Sequence, residues 1–415
     1  MVATTAADER AVALPEDVLF EIFSRVPSVR DVLRCALTCK PWLRLLTDRT
    51  FLCRLWPDLA HGHLSRLLGF FFQNERLGDG KRAIRRHTRQ RYSVSAPTFL
   101  PTPGSWLGPG GDCALTSFVA DDGGSFNYAE LLASRNGIVL MRLIPRSYKR
   151  MKDALIVCLC NPITGERHIA PPLECACLGR YMNGYAILES PGRSMLSQSQ
   201  VLVTGYNSHG DCHLHLHSYS AARRSWSTPT RCHDGNSFFL EGAEAAQVHR
   251  GLAHWLYSAH DRTDRLYILS SEGTAVHTSF AKLPISIISS PTFLYVSRDD
   301  RLSIARVYLT QMDVWTQQER DGDGHVTWLC THVIQMSFSK YSLGGKWFAF
   351  NKGSLLALYN SDGGGIFVFD IERKVMDKVM GCPPCLLTNG YGTCVPFEVD
   401  LSEFFLLQLG GLSRG

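Results

Sequence analysis

The chain has 415 residues, enough for two domains or for one domain with a small appendage. Hydrophobic residues make up 45% and charged residues 20%, as in an ordinary globular protein, and a net charge of +5 is too small by itself to indicate nucleic-acid binding. The 14 cysteines form no disulfide framework and no apolar run is long enough to cross a bilayer, so we expect a cytosolic or nuclear protein with free thiols.

Apolar residues recur at helical spacing near the N-terminus, first over residues 14–26 and again over residues 29–37. Pro15 suits the first turn of one helix and Ser28 can cap a second. Pro41 can open a third helix. A unit of about 40 residues rarely buries its apolar surface without disulfides, metal or a partner. We therefore expect these helices to meet a partner surface.

The same stretch carries a family resemblance through Leu14, Pro15, Val18, Ile22, Val26, Leu33, Leu37, Cys39, Lys40 and Trp42. The order and spacing of these residues resemble the F-box, which here would span residues 11–57. Val26 stands where the F-box usually has leucine, and Leu37 and Thr38 precede Cys39 where valine is common. The resemblance implies binding to a Skp-type adaptor and, through it, to a cullin–RING ubiquitin ligase. The alternative is a helical hairpin packed on its own domain.

The resemblance also implies which residues bind the adaptor. We predict that this surface consists of Leu14, Pro15, Val18, Ile22, Leu33, Leu37 and Trp42. It implies no cofactor and no metal.

Residues 58–113 are expected to be a linker region. A basic run at 81–91 could be a nuclear import signal or a nucleic-acid contact, but a solvated linker is the interpretation we favour. Prolines and glycines over residues 96–111 predict a loop.

From residue 114 to residue 409, short runs rich in β-branched and aromatic residues alternate with turn residues. This pattern predicts a large all-β domain. Strand-and-turn units recur at roughly 45 to 60 residues, the length of a four-stranded propeller blade. A ring of blades protects strand edges that would otherwise be open. We therefore predict a β-propeller of about six blades, in which the final strands, near residues 397–407, pair with the earliest ones.

This β-rich region is similar to the kelch-like associated domains that follow the F-box in many plant proteins. The phrases that carry this resemblance are SRNGIVL (134–140), CNPITGE (160–166), HRGLAHWLY (249–257), SRDDRLSIARV (297–307) and MDVWTQQ (312–318). The resemblance implies a propeller and does not name a substrate.

The sequence gives only weak signals for a metal, redox or catalytic site. His213, His215 and His217 alternate on a predicted strand, but three in a row span too far for easy tetrahedral zinc binding. Cys382 and Cys385 have the spacing of a zinc or redox pair without a second pair to complete it. The sequence contains no HExxH or phosphate-loop motif, and we predict no intrinsic active site.

Together these features predict a non-catalytic substrate receptor of a Skp–cullin–F-box ubiquitin ligase, with an unidentified protein as target. The alternative is an F-box scaffold or regulatory protein without a ligase role. A carbohydrate-reading propeller has only aromatic abundance in its favour. We expect neither a membrane nor nucleic acid as a partner.

Overall fold

The computed structural model of the chain describes residues 14–57, 66–76, 93–94, 97–103, 105, 107, 126–145, 154–174, 184–189, 195–206, 213–234, 238–242, 245–259, 265–273, 278–286, 290–308, 310–318, 326–336, 346–350, 352–359, 364–381 and 392–410. The basic run at 81–91 and the Cys382 and Cys385 pair lie outside this part of the chain. None of the helices in the described residues is long and apolar enough to cross a membrane.

In the described residues four short helices form the N-terminal region, one lies within the β-rich region and one follows it. They are α1 (Glu16–Ser24), α2 (Val29–Ala36), α3 (Lys40–Leu45), α4 (Arg49–Leu55), α5 (Met195–Gln198) and α6 (Leu401–Leu409). Side-chain caps fix where helices begin. The Ser28 hydroxyl accepts a hydrogen bond from the backbone N–H of Arg30 at 3.3 Å, as the sequence predicts. The Asp48 carboxylate caps α4 in the same way.

Twenty-seven strands lie in the described residues. In chain order they are β1 (Leu67–Arg76), β2 (Ser93–Val94), β3 (Thr98–Pro101), β4 (Phe126–Arg135), β5 (Ile138–Pro145), β6 (Ala154–Cys160), β7 (Arg167–Ile169), β8 (Leu173–Glu174), β9 (Gly184–Leu188), β10 (Gln200–Tyr206), β11 (His213–Ser220), β12 (Ser225–Trp226), β13 (Thr230–Asp234), β14 (Phe238–Glu241), β15 (Gln247–His249), β16 (Leu252–Ala259), β17 (Arg265–Glu272), β18 (Thr278–Ser286), β19 (Thr292–Val296), β20 (Leu302–Val307), β21 (Gln311–Gln317), β22 (Trp328–Gln335), β23 (Lys346–Phe350), β24 (Ser354–Tyr359), β25 (Gly365–Asp370), β26 (Val375–Gly381) and β27 (Gly392–Glu398).

These strands form six antiparallel sheets, which are the blades of a β-propeller. Blade 1 contains β1, β2, β3 and β27, and blades 2 to 6 contain β4–β8, β9–β13, β14–β18, β19–β22 and β23–β26. The innermost strands of successive blades line a central channel. The fold class predicted from the sequence is therefore confirmed: N-terminal helices precede a large all-β domain.

The two ends of the β-rich region close the ring in blade 1, where β1 pairs antiparallel with β27. β1 lies in the stretch expected to be a linker, and it is a strand because Phe70, Phe71 and Phe72 are all buried between packed surfaces. The chain also differs from the expectation after Glu398, where α6 replaces a strand. Leu401, Phe405 and Leu409 recur every four residues there and all are buried, as one face of a helix requires.

Two sharp turns join inner strands to second strands, and both fall in the phrases that carry the kelch-like resemblance. Asn136 and Gly137 have φ of 44° and 80°, and Arg250 and Gly251 have φ of 49° and 79°. Two successive positive φ values are typical of the type I′ hairpin turn, in which glycine is favoured because it lacks a Cβ. These sequences therefore form hairpins at one face of the propeller.

One hydrophobic core joins the N-terminal helices to the propeller. Its members include Leu19, Phe23, Val29, Val32, Phe51, Leu52, Leu55, Phe71, Phe397, Phe404, Phe405 and Leu409. The rings of Trp56 and Phe405 lie 4.8 Å apart, which places α6 directly against the end of α4. The Arg30 side chain donates a hydrogen bond from Nε to the Pro162 carbonyl of blade 2 at 3.1 Å. The helices are thus packed on blades 1 and 2.

Candidate functional site

Four large apolar side chains stay open to solvent on the N-terminal helices. We call Leu14, Val18, Ile22 and Leu37 the apolar ridge; their exposed fractions are 48%, 42%, 42% and 58%. Among the described residues seven large apolar side chains are at least 42% exposed, and four of these seven lie in this small region. An exposed apolar cluster of this kind is typical of a protein-binding surface.

Helical periodicity explains why the ridge is continuous. Val18 and Ile22 are four residues apart, so they project from one side of α1, and Leu14 lies just before the helix begins. Leu19 and Phe23 lie on the other side and are buried in the core. The core therefore covers one face of α1 and leaves Val18 and Ile22 on the other side uncovered.

The remaining predicted adaptor-binding residues have mixed exposure. Pro15 is exposed at the start of α1, whereas Leu33 and Trp42 are half-buried. The Trp42 ring packs edge-on against the ring of Phe23 at 5.4 Å, which supports α1 from behind. The structure thus brings Leu14, Pro15, Val18, Ile22 and Leu37 to the surface, while Leu33 and Trp42 contribute partly to the core.

Charged residues border the ridge at the start of α1. The guanidinium of Arg54 on α4 pairs with Glu16 at 3.0 Å and with Asp17 at 3.2 Å. It also lies over the Phe20 ring, with its central carbon 4.9 Å from the ring centroid. Such exposed ion pairs contribute little stability individually, but three contacts on one side chain fix the position of α1 relative to α4.

Sequence reasoning missed the role of α6 in this region. The partner surface expected for the helices is supplied in part by the chain itself, because Phe404 and Phe405 are fully buried in the shared core. The signal was present in the spacing of Leu401, Phe405 and Leu409. A short apolar run near the end of an all-β region is nevertheless easily taken for a strand.

The histidines and cysteines that the structure describes are dispersed over several blades and helices. His213 and His215 have ring centroids 6.3 Å apart, and burial lowers the pKa of His217 to about 4. Cys158 and Cys160 are buried in blade 2, where their thiols donate to the backbone carbonyls of Leu159 and Val139. Within the described residues no three histidine, cysteine or acidic side chains could hold a metal ion.

The central channel is a second candidate site. It encloses a cavity of about 820 Å³ lined by the inner strands of all six blades. Ligand cavities commonly measure about 300 to 1,000 Å³. The strands lining the channel contribute aromatic and aliphatic residues to its walls, whereas charged residues gather where these strands end.

Asp300 organises the charges at blades 4, 5 and 6. Its carboxylate accepts hydrogen bonds from Lys352 at 2.6 Å and from Arg250 at 3.2 Å, and these bonds hold its pKa low, at about 2. The His249 ring bonds to the Asp300 carbonyl at 2.9 Å. Asp300 therefore ties together the turns of three neighbouring blades, and cationic side chains already contact both of its carboxylate oxygens.

The residues that precede the inner strands lie mostly outside the described residues. The described part of the chain therefore does not assign a target-binding surface.

Comparison with known proteins identifies the N-terminal region. Residues 11–55 match the family model described as F-box-like, so this region is an F-box-like domain. No curated protein matches the chain.

Three solved structures are similar to this chain at low identity. A mutant of puromycin hydrolase is 14% identical, with 67% of this chain and 42% of that chain covered and a TM-score of 0.39. A mutant lectin of Aleuria aurantia is 10% identical, with 62% of this chain and 79% of that chain covered and a TM-score of 0.38. The β-propeller domain of the Trilobed protease from Pyrococcus furiosus is 10% identical, with 62% of this chain and 85% of that chain covered and a TM-score of 0.34. The chain spans less than half the length of the puromycin hydrolase. These similarities are too distant to carry an argument about function.

Proposed function

We propose that the chain is a substrate-recognition subunit of a Skp–cullin–F-box ubiquitin ligase. The observation that carries this proposal is the open apolar ridge on an F-box-like domain that is otherwise packed into its own protein. A stable protein contact buries about 1,200 to 2,000 Å². The ridge, with Pro15 and the half-buried Leu33 and Trp42 beside it, would form the centre of such a contact with a Skp-type adaptor.

In this proposal the chain contributes geometry and no catalytic group. The adaptor connects the helices to a cullin, and the propeller binds a target protein. Because the helices and blades 1 and 2 share one core, a bound target is held at a fixed position relative to the ridge. Holding a target lysine near ubiquitin carried by another subunit raises the effective concentration of the reacting groups. Such a complex would work in the cytosol or the nucleus.

A reconstitution separates this function from that of an F-box scaffold without a ligase role. The full chain is purified with a Skp-type adaptor, and a cullin–RING pair and charged ubiquitin-conjugating enzyme are added. We expect the cullin to associate only when the adaptor is present, and ubiquitin chains to form in the assembled complex. Adaptor binding without any cullin association would contradict the ligase role and favour the scaffold.

The target is identified by proximity labelling from the full chain with and without proteasome inhibition. We expect labelled proteins that accumulate only when degradation is blocked. With Ile22→Asp, those proteins should be labelled even without proteasome inhibition, because they still bind the propeller but are no longer degraded.

A further inference from the structure

A second group of exposed apolar side chains lies at the outer edge of blade 5. Of the five large apolar side chains that are exposed in the described part of the propeller, Val326, Leu329 and Val333 lie on β22 or two residues before it. Leu329 and Val333 are 55% and 53% exposed, and every residue from 329 to 333 is exposed. The propeller therefore has an open apolar edge along this strand, which we call the β22 edge.

The backbone of β22 is paired on one side only within the described residues. β22 pairs antiparallel with β21 and is the last strand of its sheet. Successive residues of an antiparallel strand direct their N–H and C=O groups to alternate sides, so about half of the residues of β22 direct them away from β21. An unpaired edge of this kind is a template for another strand.

The outer strands of the other blades are protected against such pairing. Charged side chains and prolines at a strand edge hinder the approach of a second strand. The residues that do this are Pro101 in β3, Arg167 in β7, Arg231 in β13, Lys282 and Pro284 in β18, and Asp377 and Lys378 in β26. The sequence of β22, WLCTHVIQ, contains no Asp, Glu, Lys, Arg or Pro.

Thr331 interrupts the regular pairing of β22 with β21. Its neighbours Cys330 and His332 lie opposite Trp315 and Val314, which are consecutive, so Thr331 is the extra residue of a β-bulge. One extra residue reverses the alternation of side chains along the strand. Residues before and after the bulge that are an even number apart therefore lie on opposite faces of the sheet.

Apolar side chains are consequently exposed on both faces of blade 5. Trp328 packs in the core shared with blade 4, and Ile334 packs in the core shared with blade 6. Leu329 and Val333, their neighbours along the strand, point away from these cores and so lie on opposite faces. A protein packed on one face would cover only one of them, whereas a strand laid along the edge would cover both.

We propose that two copies of this chain pair antiparallel through β22 about a two-fold axis. The occupant of the β22 edge must itself be an uncharged strand, because burial of an unpaired charge beside an uncharged apolar edge is costly. β22 is such a strand, and it is the outer strand without charge or proline among the described blades. Each copy presents one open edge, so a single two-fold axis pairs both.

The β22 edge is separate from the apolar ridge. The helices pack on blades 1 and 2, and blade 5 lies across the ring from blade 2. A pair formed through β22 therefore leaves both ridges uncovered. This inference does not depend on adaptor binding.

The length of β22 sets the affinity that we expect. Its 8 residues span about 27 Å. A strand edge of this length buries less than the roughly 800 Å² per partner of a standard interface, so we expect a weak dimer with a dissociation constant on the order of 10 μM.

Sedimentation velocity of the full chain at concentrations from about 1 to about 200 μM tests the proposal. We expect monomer at the lowest concentration and dimer at the highest. Leu329→Lys combined with Val333→Lys places positive charges on both joined edges, and the dissociation constant should rise at least about tenfold. Val375→Lys is the matched control, since Val375 is 42% exposed on β26, and it should dimerise like the unaltered chain.

Ile22→Asp distinguishes the β22 edge from self-association of the ridge. It should leave the dimer unchanged, because Ile22 lies on α1. The proposal is overturned if the chain stays monomeric at about 200 μM or if the double lysine variant dimerises like the unaltered chain. Loss of the dimer in Ile22→Asp or in Val375→Lys would overturn it equally.

Amide hydrogen exchange of the unaltered chain tests the pairing independently of how the lysine variants fold. We expect residues 329–335 to exchange more slowly at about 200 μM than at about 1 μM, with no change in β26, because outward N–H groups of β22 gain hydrogen bonds. Exchange in residues 329–335 that does not depend on concentration would overturn the proposal.

Discussion

The F-box-like helices and the propeller handle their apolar residues in opposite ways. In the propeller, residues such as Trp255, Leu355 and Ile366 fill the spaces within and between blades, and exposed apolar side chains are confined to outer positions such as Leu329, Val333 and Val375. In the helices, one face is buried against α6 and blade 1, while the apolar ridge is uncovered. Burial within the chain therefore accounts for most apolar side chains of the propeller. It accounts for only one of the two apolar faces of the helical region.

This difference shows that a small helical domain can be stable and still keep an exposed apolar face for binding another protein. About 40 residues cannot bury two apolar faces by themselves. Here the inward face is covered by the chain, chiefly by Phe404 and Phe405, so the outward face is left for another protein. Packing against the propeller and binding of another protein can therefore be changed separately, because they use different sides of α1.

The shared core should show the largest effect on stability. Phe405→Ala removes a fully buried ring that packs against Trp56, and we expect a loss of about 3 to 5 kcal/mol in the free energy of unfolding of the helical region. Amide hydrogen exchange should accelerate in α1 to α4 and stay unchanged in blades 4 and 5.

Leu329→Ala is the control for this change, because Leu329 is 55% exposed on the outer strand β22. It should alter stability by no more than about 0.5 kcal/mol. Equal effects of the two substitutions would show that α6 does not hold the helices.

The ridge should show the largest effect on binding without an effect on stability. Ile22→Asp places a charge at the centre of the proposed contact, and we expect adaptor affinity to fall about a hundredfold, or about 3 kcal/mol. The thermal transition should not move, since Ile22 is already in solvent. Val375→Asp is matched to it, because Val375 has the same exposed fraction of 42% but lies on the outer strand β26. Loss of adaptor binding in both variants would refute a localised ridge.

Glu398 should make the propeller pH-dependent in a defined direction. Its pKa is raised from 4.5 to about 7 in the folded protein, so the folded state holds an extra proton between these values and loses stability as pH rises through them. Glu398→Gln removes this penalty. The variant should gain about 3 kcal/mol relative to the unaltered chain at pH 8 and little at pH 4. Thermal melts at both pH values measure the difference, and a gain that does not change with pH would argue against a titrating Glu398.

The smallest effect is expected at the border of the ridge. Arg54→Ala removes two exposed ion pairs and the contact with the Phe20 ring, and it should cost less than about 1 kcal/mol of stability. The loss should shrink in high salt, because exposed charges are screened. An effect larger than that of Phe405→Ala would mean that charge, and not the apolar core, holds α1 in place.

The sequence predicted those features that local patterns determine. Helical spacing located α1 and α2, Ser28 predicted the cap of α2, and alternating short strands predicted the propeller and its number of blades. The spacing of Leu14, Val18 and Ile22 also shows which side of α1 is available, although exposure itself depends on what covers the other side.

The remaining features depend on contacts between distant parts of the chain. β1 became part of blade 1 only because β27, more than 300 residues later, pairs with it. The same closure places Glu398 near Arg66 and Arg135, which no local pattern connects. The helix at 401–409 was taken for a strand because its apolar residues, viewed alone, fit either structure.

Amide hydrogen exchange of the full chain, with and without a purified Skp-type adaptor, tests the central claim most directly. We predict that the adaptor slows exchange in α1 and at the end of α2, where the ridge lies, and leaves the outer strands of the propeller unchanged. Protection confined to the propeller, or no protection at a saturating adaptor concentration, would contradict the assignment of the ridge as the adaptor-binding surface.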